Sequence, residues 1–200
     1  MRGLFGCIVA ALLLSGCIST TPVAPSGEPE PWTAPREGSE PWLAVVQECG
    51  FCVGPPEVAR YWMTLLYEGG EVLWVAYGTN GTAQGVQAPD HPALMPVLEA
   101  VFAAVDAPGL GDGRVAHVHD VATGTLGGDD RADARRVLVT SLRHAAPPGE
   151  PDFNDCLDCG GTYVIGPDRP TAYLNPFHHE GDAWGTILEQ FRLLETWVRP

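Results

Sequence analysis

Two identical Cys-x-x-Cys spacings, Cys49–Cys52 and Cys156–Cys159, stand 103 residues apart in a chain of 200. Whatever the four sulfurs do, they restrict the fold. Bonded within each motif, they close loops too small to stabilise much. Bonded across the motifs, they close loops of more than a hundred residues and contribute about 4–5 kcal/mol in the chain-entropy account. That second case requires a fold that carries residues 49–52 to residues 156–159. Four cysteines allow three pairings, and the sequence leaves all three open. The same four thiols, Cys49, Cys52, Cys156 and Cys159, are also a complete ligand set for tetrahedral zinc, although their separation far exceeds the usual ribbon spacing.

The other two cysteines, Cys7 and Cys17, lie in the N-terminal segment. Arg2 is followed by an apolar run from Gly3 to Leu14, too short for a hydrocarbon core that needs roughly 20 residues. One base, a short apolar stretch and then small residues form the layout of a secretory signal. Leu14-Ser15-Gly16-Cys17 resembles the lipobox of bacterial-type lipoproteins. The resemblance implies removal of residues 1–16 and acylation of Cys17 through a thioether-linked diacylglycerol. The partner so implied is the lipid bilayer, and the location is the cell envelope, with the domain facing the periplasm or the exterior. In such an oxidising compartment, disulfides among Cys49, Cys52, Cys156 and Cys159 are the leading expectation.

Residues 17–41 hold six prolines in the 24 positions from Ile18 to Pro41, which predicts a stiff tether reaching ~70 Å if fully extended. Trp42 is expected to dock on the domain and Trp32 to be loosely held. The domain itself occupies residues 42–200. Its charge excludes two function classes. The chain carries 25 Asp+Glu against 11 Lys+Arg, a net charge of −14, and every base is arginine. Phosphate backbones and anionic headgroups are held by clustered positive charge, so no nucleic-acid partner is expected.

Periodicity predicts an α+β fold: an antiparallel sheet with about three amphipathic helices. Asp90-His91-Pro92 precedes Leu94, Val97, Leu98, Val101, Phe102 and Val105, a stripe at helical spacing. Asp129-Asp130 is expected to cap a second helix, with Ala134, Val137, Leu138, Leu142 and Ala145 on its inner face. Asp182 is expected to cap a third, with Trp184, Ile187, Leu188, Phe191, Leu194 and Val198 inward. Strands are predicted at Trp42–Gln47, Ala59–Tyr67, Glu71–Tyr77, Arg114–Val121, Thr162–Ile165 and Thr171–Leu174. Glu68-Gly69-Gly70-Glu71 closes a hairpin between the second and third. The order C-x-x-C, hairpin, helix then occurs twice, suggesting two degenerate halves.

Cys49-Gly50-Phe51-Cys52 follows an apolar strand, and over about ten residues it resembles the active-site segment of the thioredoxin family. The resemblance implies thiol–disulfide exchange, with Cys49 attacking and Cys52 resolving. Glu48 stands where that family usually has tryptophan, and Val53-Gly54-Pro55-Pro56 starts no helix to lower the thiol pKa. His117-Val118-His119-Asp120 resembles the metal signature of metallo-β-lactamase-type hydrolases but lacks its spacing, and His178-His179-Glu180 reads as a polar loop. No P-loop, G-x-S-x-G or G-x-G-x-x-G occurs. The expected role is therefore binding or scaffolding rather than catalysis. Thiol exchange by Cys49 and Cys52 is the alternative, and a four-cysteine zinc domain the third.

Overall fold

The computed structural model describes residues 21–35, 39–50, 58–81, 84–105, 107, 110, 114–147, 160–166, 171–174 and 181–200. Residues 1–16, expected to be a signal, and Cys17, Cys52, Cys156, Cys159 and His178 to Glu180 lie outside the described residues.

The fold is α+β. Among the described residues seven strands form one sheet in the order β4-β5-β3-β2-β1-β6-β7. They are β1 (Leu43–Glu48), β2 (Tyr61–Leu66), β3 (Glu71–Asn80), β4 (Gly85–Gln87), β5 (Val115–Thr125), β6 (Thr162–Ile165) and β7 (Ala172–Leu174). The helices are α1 (Met95–Ala104), α2 (Gly128–His144) and α3 (Ala183–Val198). Every ladder is antiparallel except β4 on β5, which is parallel.

The strand alternation sorts side chains to two faces. Leu43, Val45, Val72, Trp74 and Val164 meet α2 and α3 on one side. Ala44, Val46, Met63, Leu73, Val75, Ala116 and Val118 meet α1 on the other. β3 is central and its run Val72–Tyr77 is buried throughout, so it lacks the half-polar pattern of an exposed sheet. Tyr67 N–H donates to the Glu71 carbonyl (2.9 Å) and Gly70 N–H to the Tyr67 carbonyl (3.1 Å), closing the expected β2–β3 turn. The two hairpins β2–β3 and β6–β7 flank β1, and their following helices α1 and α3 lie on opposite faces.

Local chemistry adjusts the helix starts. The first helical stripe divides into a 3₁₀ turn at Pro92–Leu94 and then α1. Pro96 explains the break: it lacks an N–H and is tolerated only in a first turn. Asp90 therefore does not cap α1. At α2 the N-cap is Gly127, with no side-chain cap. Asp182 does cap α3, accepting from Gly185 N–H at 2.7 Å, and Trp184 Nε1 ties that helix to the Ala146 carbonyl at 2.9 Å.

β4 was not expected. Its three residues have two exposed members and no apolar run, so nothing local announces an edge strand. β5 runs further than predicted, to Thr125, and contains a bulge: Tyr77 pairs with Val118 and Ala76 with Asp120, leaving His119 as the extra residue. The bulge breaks the alternation that would place His117 and His119 on one face.

The largest departure is the segment expected to be a free tether. Val23 donates to Gln190 Oε1 (2.9 Å) and accepts from Gln190 Nε2 (2.8 Å). Ser26 gives its N–H and hydroxyl to Asp130 Oδ1 at 3.0 and 3.1 Å. Trp197 Nε1 donates to the Gly27 carbonyl at 2.6 Å. Glu30 exchanges both backbone bonds with Thr125, at 3.2 and 3.3 Å, and Trp32 packs on the α1-side core. From Val23 to Trp32 the chain is thus a strap that passes from α3 around the end of β5 to the opposite face. Trp32 is part of the packing rather than loosely held, and Trp42 docks on the other core with Arg135 over its ring at 5.4 Å.

Candidate functional site

β1 runs to Glu48, and the ladder with β2 continues one residue further, where Cys49 N–H donates to the Arg60 carbonyl at 2.8 Å. On the other side β6 pairs with β1 in register Ala44↔Ile165 to Gln47↔Thr162, and Glu48 N–H donates to the Gly161 carbonyl at 2.8 Å. The chain immediately after the second C-x-x-C motif therefore lies against the chain at the first. Gly160 has φ +67°, and a Cβ there would overlap the Glu48 carbonyl oxygen and stand 2.7 Å from Gly50 N. A Cβ on Gly161 would overlap the Tyr173 ring. The two glycines following Cys159 are what allow β6 to close on β1 at this end.

Cys49 is half-buried and disulfide-bonded, its other half lying outside the described residues. Next to it, the Glu48 carboxylate accepts from two phenols, Tyr61 at 3.3 Å and Tyr163 at 3.4 Å. Tyr61 stacks on the buried Tyr77 with centroids 5.1 Å apart, Tyr77 meets Phe102 edge-on at 4.9 Å, and Tyr163 meets Tyr173 edge-on at 5.1 Å. Burial, reinforced by the Glu48 charge, pushes the Tyr163 hydroxyl up to about 12. The same two causes raise Tyr61. Tyr77 is raised further, chiefly by its deeper burial. These phenols are donors at any neutral pH. They fix the carboxylate on the sheet face that carries Tyr61, Tyr77 and Tyr163.

Among the described residues no helix N-terminus faces Cys49: β2 follows, returning antiparallel. Cys52, Cys156, Cys159 and Cys17 lie outside the described residues. No group of three or more His, Cys, Asp or Glu side chains is poised for a metal among the described residues. His117 and His119 are divided by the bulge.

Sequence reading missed the tyrosine–glutamate cluster and the two glycines. Signals for both existed: Glu48 is the polar end of an apolar strand and abuts a cysteine, and Gly160-Gly161 directly follows one. A concavity of about 400 Å³ lies between α1 and β4, with Phe102, Ala103 and Val86 in its wall and the exposed Glu99 and Arg114 among its lining. No helix of the described residues is long and apolar enough to cross a membrane. Comparison with protein-family models, with curated proteins and with solved structures finds no match to this chain.

Proposed function

We propose that the protein is an envelope lipoprotein, acylated on Cys17 and held by the bilayer, whose acidic domain is cross-linked by its cysteines and serves binding or scaffolding. The observation that carries the structural role of the cysteines is the closure of Gly160-Gly161 onto Glu48–Gly50. Backbones packed that tightly at the flanks of both motifs favour a cystine that staples β1 to the chain entering β6, closing a loop of more than a hundred residues. Such a loop gives the largest entropic stabilisation open to these sulfurs. That Cys49 is disulfide-bonded supports the same reading. The domain-facing compartment is the periplasm or the exterior, where such a bond persists.

A glutathione redox titration of the mature chain, with alkylation and peptide mapping of Cys49, Cys52, Cys156 and Cys159, tests this. Potentials below about −300 mV and a cross-motif peptide are the expected result. A Cys49–Cys52 bond opening between about −120 and −230 mV would replace it with thiol–disulfide exchange. One equivalent of zinc in protein prepared under reducing conditions would assign the four thiols to a metal instead. Anchoring has its own check: Cys17→Ala should leave the protein out of the membrane fraction.

A further inference from the structure

The strap changes what an anchor at Cys17 can do. Val23 is gripped at both its N–H and its carbonyl by Gln190, a side chain with no exposed surface in the middle of α3. Asp130, Trp197 and Thr125 hold the next turns of the chain. Only Ile18 to Pro22 separate Cys17 from Val23. Six Cα steps at about 3.3–3.6 Å give a leash of at most ~20 Å, in place of the ~70 Å that an extended tether through residue 41 would allow.

We infer that the lipid anchor holds the domain against the bilayer surface on its α3 side, with the α1 side and its cleft turned to the aqueous phase. The inference rests on the acylation of Cys17 proposed above. The magnitudes decide the orientation. A domain of about 180 residues has a radius of gyration near ~16 Å, and so a diameter near ~40 Å. To lay the α1 face on lipid, the leash would have to pass half-way round the molecule, roughly 60 Å on that diameter. It is about three times too short. The net charge of −14 supplies no attraction to anionic headgroups that could turn the domain otherwise. The leash alone sets which face meets lipid, and it leaves Phe102, Val86, Glu99 and Arg114 of the cleft open to a soluble partner.

The chain contains no lysine, which makes the test simple. Arg192→Lys, exposed on α3 two residues from Gln190, and Glu99→Lys, exposed on α1, each introduce one amine-reactive side chain for a donor dye. The lysine-free parent gives the background. Full-length protein recovered from membranes is placed in phosphatidylcholine vesicles that carry an acceptor dye on some headgroups. Energy transfer from position 192 should exceed that from position 99 several-fold. A Gly/Ser insertion of about 20 residues between Ser19 and Thr20 adds a flexible span of about 25 Å without touching the domain, and should bring the two positions close together. Protein that fails to associate with vesicles would overturn the anchoring reading and this inference together. Vesicle-bound protein with equal transfer from both positions, unchanged by the insertion, would overturn this inference alone.

Discussion

Replacing Gly160 by alanine strikes the closure of β6 on β1 with a single methyl group. Two costs arise. The residue sits at φ +67°, where a Cβ costs about 1–2 kcal/mol. The same Cβ would overlap the Glu48 carbonyl oxygen and lie 2.7 Å from Gly50 N, both backbone atoms that cannot rotate aside. The strands must then separate, which weakens the 2.8 Å bond from Glu48 N–H to the Gly161 carbonyl, a loss of about 1 kcal/mol. Crowding of neighbouring packing adds about 1–3 kcal/mol. Gly81 supplies the control. It also has a positive φ, +85°, but a Cβ there meets nothing within 4 Å, so Gly81→Ala carries the conformational cost alone. Gly160→Ala should therefore be about 2–4 kcal/mol less stable than Gly81→Ala. At about 2–4 °C per kcal/mol for a domain of this size, the melting midpoints should differ by roughly 4–16 °C. The assay is thermal unfolding of the oxidised mature proteins followed by circular dichroism. Equal midpoints for the two variants would refute the claim that backbone closure at Gly160 is tight, and with it the main support for a staple at this end of the sheet.

Two further outcomes are expected. The Tyr163 hydroxyl rises from 10.0 to about 12 on folding, and Tyr61 and Tyr77 are raised with it. A raised phenol pKa means the folded state holds the proton more tightly, so its contribution is complete below about pH 10 and lost as pH climbs toward about 12. Stability should fall across that window, and Glu48→Gln, which removes the nearby charge, should shift the ultraviolet phenolate titration to lower pH; an unmoved titration would show that the cluster does not sense Glu48. Gln190→Ala removes both bonds to Val23 (2.9 and 2.8 Å) and should destabilise the protein by about 2–3 kcal/mol. Its distinguishing mark is hydrogen exchange: the Val23 amide should exchange much faster while the amides of β3 keep their order of protection. Slow exchange at Val23 in the variant would mean that the strap is held without this side chain.

Much of the fold was legible because it rests on local periodicity. The inner faces of α2 and α3, the β2–β3 hairpin and the β6–β7 hairpin follow from apolar spacing and turn residues, which act over a few positions. Asp182 was legible as a cap because its carboxylate satisfies an N–H only three residues away. Asp130 looked the same in sequence, yet its carboxylate accepts from Ser26, 104 residues distant. Nothing within a helical turn distinguishes those two uses. The candidate site divides in the same way: Cys49 was visible through its C-x-x-C spacing, whereas Tyr61 and Tyr163 converge on Glu48 only after three separate strands have paired.

The sequence by itself determined the class of fold, the inner stripes of the helices and the four cysteines that must be accommodated, because burial patterns and residue chemistry are carried by the chain in every conformation. The tertiary structure alone decided the rest. It made a proline-rich segment into a strap, gave Gln190 its buried grip on a backbone, parted His117 from His119 by a bulge, and set Gly160 against Glu48. Each of these sets a polar backbone group against a distant segment. Such groups occur at nearly every residue with no period of their own, so their partners are chosen only when the sheet and helices have already packed.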